Sequence, residues 1–154
     1  MIIEGAAISD VQEILFLQKL SYLSEADIYG DYTIPPLLQT LPEIEAEYHR
    51  RFFLKATRQN LIVGSVRAHM SGDTCCIGRL IVHPYVQNRG IGTFLMIAIE
   101  RHYDSARRYE LFTGQNSEKN LYLYRKLGYT IFKHQALTEK VTLVFMEKVP
   151  GVDG

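Results

Sequence analysis

No uncharged run in this chain approaches the ~20 apolar residues that a membrane-spanning helix needs. Charge of one sign is not in excess either: lysine plus arginine number 17, and so do aspartate plus glutamate. A chain with no net charge has no bulk electrostatic attraction to nucleic acid or anionic lipid, so neither is expected as a partner. The opening Met1-Ile2-Ile3-Glu4-Gly5 lacks the basic segment and extended apolar core of a secretory signal. A soluble cytoplasmic protein is the expectation. Cysteine is scarce, and the two present, Cys75 and Cys76, are adjacent. In a strand they would face opposite sides, and their spacing suits neither a zinc knuckle nor a redox pair. The five histidines are scattered with no HExxH motif, so no metal is expected.

What is present suits one domain around one core: 154 residues, 47% of them apolar. The reading assigns 1–149 to that domain and 150–154 to a loose tail, with no internal repeat or linker. Ile2 to Ala7 reads as a strand. Ser9-Asp10-Val11-Gln12 has the pattern of a capping box, with Ser9 as N-cap. It opens a helix whose apolar face is Val11, Ile14, Leu15, Leu17 and Leu20, fraying after Leu23. Glu25 to Gln39 is irregular, and Pro35-Pro36 favours an extended loop. A second capping box, Thr40 with Glu43, starts a helix running to about Arg51.

Strands follow at Phe52–Thr57, Leu61–Met70 and Thr74–Val82, separated by turns at 58–60 and 71–73. In the second of these, Ile62, Val66, Ala68 and Met70 are expected on one face. A helix from Gly90 to about Ala106 is apolar nearly all round between Phe94 and Ile99. A strand at Glu110–Thr113, a helix at Lys119–Leu127 capped by Gly128, and strands at Tyr129–Lys133 and Lys140–Glu147 complete the chain. The strand–helix–strand crossover makes 74–82 and 109–113 parallel neighbours. The fold class is therefore α/β of the α+β type: a mixed, mostly antiparallel sheet with helices on both faces.

The chemistry begins at Gln87-Asn88-Arg89-Gly90-Ile91-Gly92-Thr93, where a polar loop and two glycines join a strand to a helix. Successive backbone N–H groups there can converge on a pyrophosphate, and the helix N-terminus adds its dipole. Three patterns compete. A P-loop requires a lysine after its second glycine, and none is present. A dinucleotide fingerprint requires a third glycine and a later acidic residue, and both are missing. The pattern Q/R-x-x-G-x-G/A is met in full.

With Leu80-Ile81-Val82-His83-Pro84 before the loop, and Asn120-Leu121-Tyr122-Leu123-Tyr124-Arg125-Lys126-Leu127-Gly128-Tyr129 after it, the chain resembles the GNAT superfamily of N-acetyltransferases. The order of elements agrees along essentially the whole chain. The resemblance implies acetyl-CoA as co-substrate and transfer of its acetyl group to a primary amine by direct attack. It implies that the strand before the loop splays from its parallel neighbour, so that Leu80, Ile81 and Val82 hold the acetyl end and the pantetheine arm. Gln87, Asn88, Arg89, Gly90, Ile91, Gly92 and Thr93 would hold the diphosphate. Asn120 would hydrogen-bond the arm, and Tyr124 would be the general acid toward the thiolate. The Val82 amide could stabilise the oxyanion.

Some relatives carry a glutamate base on the strand before the loop. The matching position here is Cys76, so a dedicated base on that strand is not expected, and His83 is an alternative. The acceptor wall falls in Glu25 to Glu47, where Glu25, Asp27, Asp31, Glu43, Glu45 and Glu47 mix with Tyr29, Tyr32 and Tyr48. The amine itself is unassigned, and a homodimer is possible by family habit. A non-catalytic acyl-CoA-binding or sensor module on the same fold is the alternative.

Overall fold

β1 (Ile2–Gly5) pairs antiparallel with β2 (Phe52–Arg58), β2 with β3 (Leu61–Ser71), and β3 with β4 (Thr74–Val82). The computed structural model describes residues 1–151, so the last three residues of the expected tail lie outside the described residues. β4 runs parallel to β5 (Arg108–Gly114), and β7 (Thr142–Lys148) lies antiparallel between β5 and β6 (Thr130–Ala136). The sheet order is β1-β2-β3-β4-β5-β7-β6. This is the mixed, mostly antiparallel sheet that the order of elements implied.

Helices cover both faces. α1 (Val11–Tyr29), the single-turn α2 (Pro35–Leu38) and α3 (Leu41–Tyr48) precede β2. Val11, Ile14 and Leu17 of α1 and Ile44 of α3 are buried against Phe53, Ile62 and Ile81 on one face. On the other, α4 (Ile91–His102) and α5 (Glu118–Lys126) bury Leu95, Met96, Ile99 and Leu121 against Leu54, Val66, Ala68, Ile77 and Met146. Cys75 belongs to that second core, and Cys76, the next residue, points to the opposite face and is half-buried.

Local chemistry accounts for most boundaries. Gln59 and Asn60 both have φ near +60°, the mark of a type I′ hairpin between β2 and β3. The Thr40 box forms as expected: Thr40 N–H donates to Glu43 Oε1 at 2.9 Å, and Glu43 N–H to Thr40 Oγ1 at 3.3 Å. The Ser9 box does not form. Ala7 N–H donates instead to Asp10 Oδ2 at 2.8 Å, and Lys55 Nζ binds the same oxygen at 2.8 Å. Asp10 thus caps a 3-10 turn that leads into α1.

α1 continues two turns beyond Leu23, because Ala26 is fully buried against Ile34 and Val141, and it stops where Gly30 turns left-handed. Pro35-Pro36 opens α2 rather than an extended loop. In the first turn of a helix the missing N–H costs nothing, and only Ile34 before it is forced extended. α4 ends at His102, earlier than Ala106, because the Tyr109 hydroxyl donates to the carbonyls of Glu100 and Tyr103. It is not apolar against the sheet all round either: Phe94 and Ile97 face outward. In β3 a register shift near Val63 puts Ile62 on the α1 face while Val66 and Ala68 face α4. Met70 lies near the end of that strand and is exposed.

The wall formed by α1, α2 and α3 is tied to the sheet by a buried charge. Arg67 of β3 is 0% exposed. Its Nη1 donates to Glu47 Oε2 at 3.0 Å, its Nη2 donates to Gln18 Oε1, and its guanidinium lies 4.5 Å from the centre of the Phe53 ring. Gln18 Nε2 in turn donates to the carbonyl of Pro36 and to Gln39 Oε1, and Gln39 Nε2 donates to Glu47. Burial pushes the Arg67 guanidinium down to about 10, with Glu47 opposing that shift, so it stays charged at neutral pH. Burial alone would raise the Glu47 carboxyl, but Arg67, Gln39 and Arg51 hold it below the usual carboxylate range.

Glu47→Gln strands the buried guanidinium and should cost about 3 kcal/mol in urea unfolding. Because the folded-state value of Glu47 is depressed, its contribution is present above the unfolded carboxyl value and lost as pH falls through the folded one. The gap between wild type and Glu47→Gln should therefore narrow in acid. An unchanged unfolding midpoint at neutral pH would contradict the role given to this pair.

Candidate functional site

β4 and β5 are neighbours for only part of their length. The parallel register runs from Thr74 with Arg108 to Cys76 with Glu110 and stops there, although β4 continues to Val82 and β5 to Gly114. A bulge in β4 accompanies the divergence. Arg67 opposes Gly78 and Ser65 opposes Ile81, so Val66 faces both Arg79 and Leu80. Arg79 sits at φ +52°, a left-handed conformation that costs a non-glycine residue about 1–3 kcal/mol. The extra residue reverses the alternation. Ile77 faces the α4 side, as do Leu80 and Val82 beyond the bulge, whereas Ile81 points into the α1 core.

The divergence leaves backbone groups of β4 without a strand partner. His83 N–H donates to Val63 O at 2.8 Å, so His83 faces β3, and alternation turns the Val82 N–H and C=O toward the gap. The Val82 carbonyl accepts there from Ser21 Oγ at 3.2 Å and Gln87 Nε2 at 3.3 Å. A cleft of about 1010 Å³ follows this gap, floored by Leu80, Ile81 and Val82 and walled by α1 and α5. One end is the start of α4. Asn88 and Gly90 are left-handed at φ +63° and +82°, and the N–H groups of Ile91, Gly92 and Thr93 have no partner one turn earlier in the helix. Gly92 has an ordinary φ and acts through space: a Cβ there would touch Leu80, Val82 and Leu123.

Of the residues expected to hold the cofactor, Leu80, Ile81, Val82, Gln87, Asn88, Gly90, Ile91, Gly92, Thr93 and Asn120 all line this one cleft. Arg89 does not; it is exposed outside the lining, and the cations in the wall are Lys119 and Lys126 of α5. Tyr124 lies behind the lining, 6% exposed, and burial pushes its phenol up so that it stays protonated. Asn120 Nδ2 donates to Thr113 Oγ1 at 3.3 Å and reaches Glu25 Oε1 at 3.4 Å.

The α1 side supplies Ser21 and Tyr22, which the sequence did not single out, and Glu25 of the expected acceptor wall. Tyr22, Ser21 and Glu25 face the cleft. Tyr22 is raised by burial, while the Arg79 guanidinium beside it acts in the opposite direction. Ser117 Oγ donates to Glu25 Oε2. Tyr29 Oη accepts from Asn116 N–H at 2.9 Å and lies 3.0 Å from Ser117 Oγ. The end of α1 is thereby fastened to the turn between β5 and α5. Spacing alone gives no sign of this, since the partners are some ninety positions apart in the chain.

The other expectations resolve one by one. Burial raises the Cys76 thiol, so it stays protonated and offers no thiolate to act as a base. His83 Nδ1 accepts from Tyr85 N–H at 3.1 Å, and the ring lines a different groove, with Phe16 and Leu61. The acidic segment is largely occupied elsewhere: Asp27 with Tyr32, Asp31 with Thr33, Glu43 with Thr40, and Glu47 with Arg67. Glu25 alone among these acids lines the cleft.

The parallel strand pair opens into a cleft that has unpartnered helix N–H groups at one end, a place where an anion is favoured. The sequence matches the acetyltransferase (GNAT) family over residues 16–129, and the chain belongs to that family. It is 29% identical over 118 residues to the UPF0157 protein YqkA of Bacillus subtilis strain 168, a match that covers 77% of this chain and 34% of that protein. The chain thus spans about a third of that relative. Among solved structures, it is similar to the ribosomal-protein-alanine N-acetyltransferase of Brucella melitensis, with TM-score 0.77 and 15% identity over 97% of this chain and 99% of the other. Salmonella typhimurium yncA, solved with its cofactor acetyl-CoA, gives TM-score 0.75 and 19% identity over 100% and 96%.

A Cβ at Gly114 would overlap the Tyr29 phenol, a rigid ring held among Ala26, Ile34 and Val141. Gly114→Ala should therefore destabilise the protein by about 1–3 kcal/mol in chemical denaturation. A Tyr29→Ala background, which removes the overlap, should largely abolish that difference. An equal loss in both backgrounds would show that Tyr29 does not fasten α1 to β5.

Proposed function

We propose that this chain is an acetyl-CoA-dependent N-acetyltransferase that passes an acetyl group to a primary amine by direct attack in a ternary complex. The observation that carries this reading is the unpaired edge of β4 beyond Cys76, with Val82 N–H and C=O facing the cleft beside the unpartnered N–H groups of α4. An extended amide-bearing arm accepts from the Val82 N–H, and a diphosphate accepts from the N–H groups at the start of α4. The acetyl-CoA present in the similar Salmonella structure supports the same choice.

The roles follow from position. Ile91, Gly92 and Thr93 offer their N–H groups to the diphosphate, and the α4 dipole assists them. Gly90 supplies the left-handed turn that aims them. Lys126 lies one helical turn from Leu123, which packs on Gly92, so its ammonium serves the phosphate end. Leu80 and Val82 present side chains to the arm, and Asn120 can bond its amides from the opposite wall. By the family resemblance Tyr124, which lies just behind the lining, is the proton donor to the departing thiolate. Burial raises its phenol, which keeps the proton on Tyr124 until the thiolate forms.

Thiol release from acetyl-CoA on a panel of primary amines tests the reading. Gly92→Glu places a carboxylate at the diphosphate end while its Cβ meets only ordinary contacts. It should weaken CoA binding at least 100-fold by calorimetry without moving the melting temperature by more than a few degrees. Tyr124→Phe should lower kcat roughly 100-fold with CoA affinity intact. Equal turnover by that variant would remove Tyr124 as the acid. Tight CoA binding by wild type with no turnover on any amine would make the chain a binding module rather than an enzyme.

A further inference from the structure

We propose that Glu25 receives the acceptor's ammonium group and takes its proton, supplying the base that β4 lacks. This rests on the acetyltransferase reading and adds to it the residue that activates the amine. Four observations converge on Glu25. It is the half-buried carboxylate of the cleft lining, on the α1 wall, across from Asn120 and the start of α5. Its Oε2 is fixed by the Ser117 hydroxyl, whereas Oε1 has only the long 3.4 Å contact from Asn120, which leaves lone pairs directed at an incoming donor. Asn120, whose Nδ2 reaches Glu25 Oε1 at 3.4 Å, lies one helical turn from Tyr124 on α5, so the proposed acid and base stand on facing walls. The competing bases are out of place: Cys76 is raised by burial, and His83 is engaged by Tyr85 in another groove.

The proton balance closes with these two side chains. Glu25 takes one proton from the ammonium and passes it to solvent, leaving the nitrogen lone pair free. That pair forms the C–N bond at the acetyl carbonyl carbon. As nitrogen becomes positive in the tetrahedral adduct, Glu25 takes a second proton from it. The C–S bond breaks, the sulfur keeps the electron pair, and the thiolate takes the Tyr124 proton. The proton held on Glu25 then restores the Tyr124 phenol. The products are the amide, the free thiol and one proton released to solvent, with no other reactant required.

The experiment compares wild type, Glu25→Gln and Glu25→Ala with the amine that wild type turns over best, and measures CoA affinity on the same preparations. Glu25→Gln keeps an oxygen for Ser117 and should fold normally, yet its kcat/KM for the amine should fall roughly 100-fold or more while CoA affinity stays within threefold. Added formate should restore Glu25→Ala at least tenfold and leave wild type unchanged, which a purely structural role would not produce. Wild-type turnover matched within threefold by Glu25→Gln would overturn Glu25 alone, as would a loss of CoA affinity that accounts for the whole effect. A wild type that binds CoA and acetylates no amine would overturn the acetyltransferase reading and this inference with it.

Discussion

The early end of one parallel strand pairing organises this molecule. An unpaired backbone amide away from water costs free energy comparable to a lost hydrogen bond, so strands do not part without a cause. Here β3 holds β4 on one side and β7 holds β5 on the other, while the two separate after Cys76 and Glu110. The bulge at Arg79 makes the separation compatible with a packed sheet. By adding one residue, it turns Leu80 and Val82 toward α4 and α5 and sends Ile81 into the α1 core. Without it the two cores would exchange residues beyond Gly78. The left-handed Arg79 is thus a local strain that sets the geometry of the whole gap.

A gap between strands keeps its shape only if its walls are fixed from outside. α5 is held by the large core around Leu121 and Tyr124. α1 is held differently. At its middle, Gln18 joins the buried network of Arg67, Gln39 and Glu47, which spans α1, α2, α3 and β3. At its end, Tyr29 and Glu25 are bonded to the turn that starts α5. Polar contacts of this kind are directional, so they fix the register of a helix against a sheet more narrowly than apolar packing does. The same register places Ser21 and Glu25 on the cleft side, since the two are one turn apart.

What could be read from the sequence divides along a physical line. The capping box at Thr40, the turn at 58–60 and the glycine loop that opens α4 were legible because each depends on residues next to one another. The Ser9 box failed although its pattern was intact, because Lys55, distant in sequence, stabilises Asp10 in the competing role. The extent of α1 was hidden for the same reason: the burial of Ala26 depends on Val141. Nothing in Gly78-Arg79-Leu80 marks a bulge, since a left-handed arginine has no signature of its own. Glu25 was visible only as one of several acids in an irregular stretch. Its distinction from Asp31, Glu43 and Glu47 lies in what those three already bind.

The two halves of the site therefore differ in kind. The donor half is made chiefly of backbone: strand amides, a helix N-terminus and two glycines whose role is conformation or clearance. Backbone geometry survives wide changes of side chain, which is consistent with a fold shared at 15–19% identity with the structures compared. The proposed acceptor half is made of side chains, with Glu25 and Tyr29 of α1 oriented by Ser117 and Asn116 far away in the chain. Such a surface has no local motif, and a single substitution alters its chemistry without disturbing the donor half. If the proposed function holds, selection for a new amine can act on Tyr22, Glu25 and their neighbours while the grip on the donor stays constant. On the proposed function, the short pattern around Gly90 and Gly92 identifies what gives the acyl group, and the bonds that orient the α1 wall determine what receives it.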